Sequence, residues 1–173
     1  MFQVGDNVVY GTTGVCTIVS IGPLSMSGVD RRRPYYTLQP LHADGAVYVP
    51  AGEENPRAMR RPLSRDEAEA LLGSIGEIEP CDIRNLNYKQ RTDAFSAALH
   101  ENRCDSLVRI IRAIDEKKQR GKEKQQYNVD NSYFKRAMNL LCGELAYALD
   151  VPVEEIRSRV ETAVTLSRPA KEA

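Results

Sequence analysis

Tryptophan is absent from the 173 residues, and histidine is nearly so, with only His42 and His100. Cysteine is sparse: Cys16, Cys81, Cys104 and Cys142 stand far apart, with no C-x-x-C pair. His100 and Cys104 are four residues apart, but no second pair completes a ligand set, so no metal site is expected. Scattered thiols of this kind read as buried or half-buried groups in a reducing compartment. Neither charge sign is in excess, since 24 basic residues face 24 acidic ones. A uniformly basic coat is thereby excluded; a local basic patch is not, and nucleic acid responds to local potential. No apolar run approaches the ~20 residues of a membrane span. The opening "MFQVGDNVVY" lacks the basic-then-apolar order of a secretory leader, so a cytoplasmic location is expected.

Catalytic signatures are missing too. The chain has no G-x-x-x-x-G-K-[ST], no G-x-G-x-x-G and no H-E-x-x-H. Asp66, Glu67 and Glu69, like Glu154 and Glu155, fall on first turns of expected helices, where carboxylates favour the positive end of the dipole. Neither histidine sits in a recognisable triad setting. No enzymatic activity and no cofactor are expected.

What is present divides into two periods. Over residues 1–50, β-branched residues, glycines and tight turns alternate. Val8–Tyr10, Val15–Ile21 and Tyr35–Leu41 read as strands, and Asp44–Gly45 turns a hairpin into "AVYVP". Pro40 places its end of the third strand at an edge or bulge. The fold class expected is α+β: a small antiparallel SH3-like or Tudor-like barrel, then an all-α domain of about five helices. "AGEENPRAMRRP" (51–62) reads as a linker or a boundary loop. Beyond it, Ser64 with Glu67 forms a capping box for a first helix. A second is expected over Leu86–His100. A third spans Cys104–Lys118, striped by Leu107, Ile110, Ile111 and Ile114. "KKQRGKEKQQ" (117–126) is a polar break. A fourth helix, capped by Asn131 or Ser132, runs to Leu149, and a fifth starts at Val151–Pro152, with proline in its first turn. The domains expected are 1–60, 61–166 and a frayed tail, 167–173.

Basic residues cluster in Arg31–Arg33, in "LNYKQR" (86–91) and in "KKQRGKEK". Leu86 and Tyr88, set beside cations, suit stacking or wedging against bases.

The ordered set of motifs resembles the CarD/CdnL family of bacterial transcription regulators, whose N-terminal module is shared with the polymerase-interacting domain of the transcription-repair coupling factor. The family opens F-x-x-G-D-x-V-V-Y, then a short turn, then G-V and an apolar strand; here "FQVGDNVVYGTTGVCTI" runs from Phe2 to Ile18. "YYTLQP", "VYVP", "SLVRIIRAI" and "AMNLLCGELAYAL" resemble later family segments. The resemblance implies a non-enzymatic, nucleoid-associated regulator. Its barrel would bind the RNA polymerase β subunit, partly by edge-strand pairing, through Leu24, Met26 and Tyr48. Its helical domain would touch promoter DNA at the upstream edge of the bubble and modulate open-complex stability. The family's wedge motif resembles W-[NS]-x-R-Y-[RK], which aligns Leu86 with the tryptophan, with Tyr88 two residues on and Lys89 and Arg91 at basic positions. Lys117, Lys118 and Arg120 complete the expected DNA contacts. Gly11 stands where the family usually has proline. Two other readings fit the same elements: a protein–protein adaptor without DNA contact, and an RNA- or ribosome-associated SH3-like module.

Overall fold

A computed structural model of the chain describes residues 1–52, 58–121 and 127–168. It divides into two units, Met1–Pro62 and Leu63–Ala173.

The first unit is an antiparallel sheet of five strands, curled into a half-barrel. The strands are β1 (Asn7–Tyr10), β2 (Gly14–Gly22), β3 (Tyr35–Pro40), β4 (Val47–Pro50) and β5 (Met59–Arg60), in the spatial order β4-β3-β2-β1-β5. Alternation builds the core. Val8 lies opposite Cys16, and Ile18 opposite Leu38, which in turn faces Val47. Val8, Cys16, Ile18, Tyr36 and Leu38 form the buried cluster, closed by the partly buried Phe2, Tyr10, Val47, Val49, Ala51 and Met59. Val19 faces outward beside the buried Ile18, and an irregularity between Ile18 and Ser20 shifts the register of β2 against β3.

β5 lies inside the segment read from sequence as linker. Met59 pairs with Tyr10, and Arg60 with Val9. Two residues are too few for a period to register, and the pairing is supplied by β1 rather than by local preference. The turn after β1 supports the same closure. Gly11 has φ +43°, and its N–H donates to the Ala58 carbonyl at 2.8 Å, extending the β1–β5 edge by one bond.

The second unit holds α1 (Arg65–Ser74), a short 3-10 turn (Ile75–Glu77), α2 (Tyr88–His100), α3 (Cys104–Gln119), α4 (Tyr127–Leu149) and α5 (Val153–Leu166). The Ser64–Glu67 capping box is present. α3 and α4 supply most of the core. The expected α3 stripe is buried along its length, and Val108 and Ala113 are buried beside it. Phe95 and Leu99 of α2, Ala68 and Leu72 of α1, and Ile156, Val160 and Val164 of α5 cover this pair. The fourth helix starts at Tyr127, so Asn131 and Ser132 lie inside it and cap nothing. Pro152 occupies the N-cap position of α5, one residue ahead of the first turn.

Buried charge stitches the helices. The Glu144 carboxylate accepts from the Leu63 N–H at 2.9 Å and from the Cys104 thiol at 3.0 Å, tying the start of the unit to α3 and α4. Arg112 donates to the Gly76, Ile78 and Ser167 carbonyls, holding the 3-10 turn, the connector after it and the end of α5. The first two residues of the expected tail are therefore anchored: Ser167 by Arg112, and Arg168 by a two-pronged pair with Asp115, both contacts at 2.8 Å. The rest of the tail lies outside the described residues, as do residues 53–57 of the expected linker and 122–126 of the polar break.

Candidate functional site

Two surfaces gather the residues singled out from the sequence, one on each unit. On the first unit, β4 is an outer strand of the sheet. The Ala51 N–H donates to the Pro34 carbonyl at 2.9 Å. Antiparallel pairs alternate between bonded and non-bonded, so Tyr36–Val49 and Leu38–Val47 are bonded pairs, while Thr37–Tyr48 and Tyr35–Pro50 are not. The backbone N–H and C=O of Tyr48 thus point away from β3, off the sheet edge. Pro50 has no N–H to offer there. The Tyr48 side chain is 42% exposed. Gly22, Tyr35 and Pro50 stand in one row across the sheet, so the segment after β2 leaves at the same end. Of its residues, Leu24 is half-buried and Met26 is 46% exposed. Val19 and Ile21, which sequence reasoning did not single out, add exposed apolar surface on β2. Alternation from the buried Ile18 turns Val19 outward, and the register shift after it leaves Ser20 and Ile21 exposed as well.

On the second unit, a cleft of about 730 Å³ opens between the 79–86 connector, the start of α2 and the last turns of α3. Its apolar wall is Pro80, Cys81, Ile83, Leu86 and Ala113; its charged wall includes Arg84, Arg91, Glu116, Lys117 and Arg120. Asn87 caps α2 by accepting from the Gln90 N–H at 2.9 Å, while the Gln90 side chain accepts from the Asn87 N–H at 3.0 Å. This second capping box moves the helix start from the expected Leu86 to Tyr88. Leu86 is consequently outside the helix, half-buried at the cleft, in a turn where its N–H reaches the Ile83 carbonyl. Tyr88 begins the helix and is 48% exposed, with Lys89 exposed beside it.

The expected basic contacts do not share one face. Lys89 and Arg91 are two apart on a helix, a spacing that points side chains in opposed directions. Lys89 faces solvent, whereas Arg91 is 4% exposed and donates through Nε to Asp130 at 3.0 Å. Arg91 is a buried pairing residue, which corrects its reading as a phosphate contact. Lys117 also turns inward, its Nζ 2.7 Å from the other Asp130 oxygen. Lys118 lies on the far side of α3, its ammonium 4.4 Å from the centre of the Phe134 ring, a cation–π contact. Arg120 stays exposed on the cleft rim and pairs with Glu116 at 3.6 Å. Arg84, not anticipated, is exposed on the same rim and paired with Asp82 at 3.0 Å. That ion pair holds the Asp82 carboxyl below its usual range.

Cys81 is the half-buried thiol of the cleft wall, while Cys16, Cys104 and Cys142 are buried. Among the described residues, no cluster of His, Cys, Asp or Glu has the makings of a metal site, and no helix is long and apolar enough to cross a membrane.

Residues 2–62 match the family described as the CarD-like/TRCF RID domain. Domains of this family are non-enzymatic modules that bind the β subunit of RNA polymerase. No curated protein matches the chain.

Proposed function

From the premise that residues 2–62 are a CarD-like/TRCF RID domain, we propose that this protein is a transcription regulator that docks on the polymerase β subunit and touches promoter DNA. Docking uses the β4 edge. A partner strand pairs with the outward N–H and C=O of Tyr48, and the apolar side chains of Tyr48, Met26 and Leu24 flank it. The second unit then meets DNA at the upstream edge of the bubble. Tyr88 and Lys89 lead the contact, Leu86 stands at the cleft behind them, and Arg84 and Arg120 line the rim. Binding the open complex better than the closed one changes its lifetime by a population shift.

The observation that carries the docking half is the orientation of the Tyr48 backbone. Tyr48→Pro tests it, because proline removes the outward N–H while leaving the bonded pairs with β3 untouched. The full-length variant is expected to melt close to wild type yet bind the polymerase β lobe at least about tenfold more weakly, the equivalent of roughly 1.4 kcal/mol. Undiminished binding by a folded Tyr48→Pro protein overturns the edge-pairing reading.

A further inference from the structure

Asp130 of α4 places one carboxylate between two cations on two other helices. Its Oδ1 is 3.0 Å from Arg91 Nε of α2, and its Oδ2 is 2.7 Å from Lys117 Nζ of α3. The two cations are not equivalent. The Arg91 guanidinium is planar, buried and fixed, whereas the Lys117 side chain keeps 22% exposure and lines the cleft beside Leu86. An ammonium on a flexible stem re-aims easily; a buried guanidinium fork does not. A phosphate arriving at the cleft mouth therefore competes with Asp130 for Lys117. The other cations of that wall have carboxylate partners, Arg120 the half-buried Glu116 that Arg112 shares and Arg84 the exposed Asp82, while Glu79 adds a further acid to the lining. Arg91 stands one turn into α2, its N–H on the Asn87 carbonyl, so its hold on Asp130 also fixes the turn that carries Tyr88 and Lys89.

We propose that Asp130 is a positioning residue that sets how strongly this protein grips nucleic acid. It anchors the Tyr88–Lys89 turn through Arg91 and holds Lys117 back from phosphate. The inference rests on the reading that this edge meets DNA. A carboxylate in this place weakens the backbone contact, which carries no sequence information, relative to the contacts of Leu86 and Tyr88 with the bases.

The test is the salt dependence of binding by the full-length chain to a short forked DNA duplex, followed by fluorescence anisotropy between about 50 and about 200 mM salt. Asp130→Asn keeps the shape and an acceptor for Arg91 but removes the charge. Each additional phosphate neutralised steepens the slope of log affinity against log salt by about 0.9. Asp130→Asn is thus expected to lose about 3.5-fold more affinity than wild type across that fourfold salt range. Lys117→Met in the wild-type background is expected to leave the slope unchanged, and in the Asp130→Asn background to return it to the wild-type value. Asp130→Glu, which keeps the charge, is expected to behave as wild type. A purely structural role for Asp130 would lower the melting temperature without this pattern of slopes. An Asp130→Asn slope equal to wild type, or a slope flattened by Lys117→Met alone, overturns the proposal. Lys89→Met separates this outcome from failure of the underlying reading. If wild type binds and Lys89→Met flattens its slope while Asp130→Asn does nothing, only the role of Asp130 falls. If wild type shows no DNA binding, the DNA half of the proposed function falls with it.

Discussion

Gly11 offers a sharp test of how the sheet closes. It follows β1 in a turn where the Thr13 N–H donates to the Tyr10 carbonyl at 2.9 Å. Its φ of +43° lies in the left-handed region, and its N–H bonds Ala58 on the approach to β5. A Cβ at this position meets nothing within 4 Å, so alanine brings only conformational strain. That strain is about 1–2 kcal/mol. It is offset by about 0.4–1 kcal/mol from the stiffer unfolded chain, which leaves a net loss of about 1 kcal/mol for Gly11→Ala. Proline at the same place has φ locked near −65° and no N–H. Gly11→Pro therefore loses the bond to Ala58, roughly 1 kcal/mol, and forces the turn to be rebuilt, for a total of about 3 kcal/mol or more. The assay is amide exchange at Val8, Val9 and Cys16 in the full-length chain, which reads the opening of this unit separately from the helices. A difference of about 2 kcal/mol is roughly a 30-fold change in protection between the two variants. Protection in Gly11→Pro within about threefold of Gly11→Ala would refute the reasoning. The proline usual in the family at this place would then be compatible with this turn after all.

Further outcomes follow from Arg112 and from the cysteines. Arg112→Met strands the Gly76, Ile78 and Ser167 carbonyls; it is expected to destabilise the helical unit by about 2–4 kcal/mol in chemical denaturation followed by circular dichroism. An effect under about 0.5 kcal/mol would show those bonds to be replaceable by water. Burial pushes the Cys16 and Cys142 thiols up to about 11. Because these folded-state values lie above the ordinary thiol range, the stability they contribute is complete below that range and disappears as pH rises through about 11. Near pH 8 the native chain should take up maleimide at Cys81 alone, read by peptide mass mapping; comparable labelling of Cys16 or Cys142 would contradict their burial.

Much of this fold was legible because local signals and tertiary packing agree. Ser64 and Glu67 cap α1 as their spacing requires, and the α3 stripe from Leu107 to Ile114 is buried as its period requires. Legibility failed where tertiary contacts decide. Met59–Arg60 becomes a strand only because β1 has an unpaired edge. The start of α4 lies ahead of Asn131 and Ser132, residues whose capping preference does not operate inside a helix. The Asn87–Gln90 box was readable in principle, and it would have set Leu86 outside α2. The candidate DNA contacts show the widest gap. A motif lists Lys89 and Arg91 as neighbours, but helical geometry separates them, and the partner that draws Arg91 and Lys117 inward, Asp130, is 39 and 13 residues away in the chain. No local pattern announces a carboxylate at that distance.

The claim at the centre of this account is that one chain joins polymerase to promoter DNA through the Tyr88 edge. The lifetime of a competitor-challenged open promoter complex tests it most directly, with wild type and Tyr88→Ala compared at polymerase-saturating concentrations. Tyr88 is exposed, so its truncation leaves the helical core intact. The account predicts that wild type changes the lifetime and that Tyr88→Ala, bound to polymerase as tightly, loses most of that change. An effect on lifetime that Tyr88→Ala retains in full would contradict it.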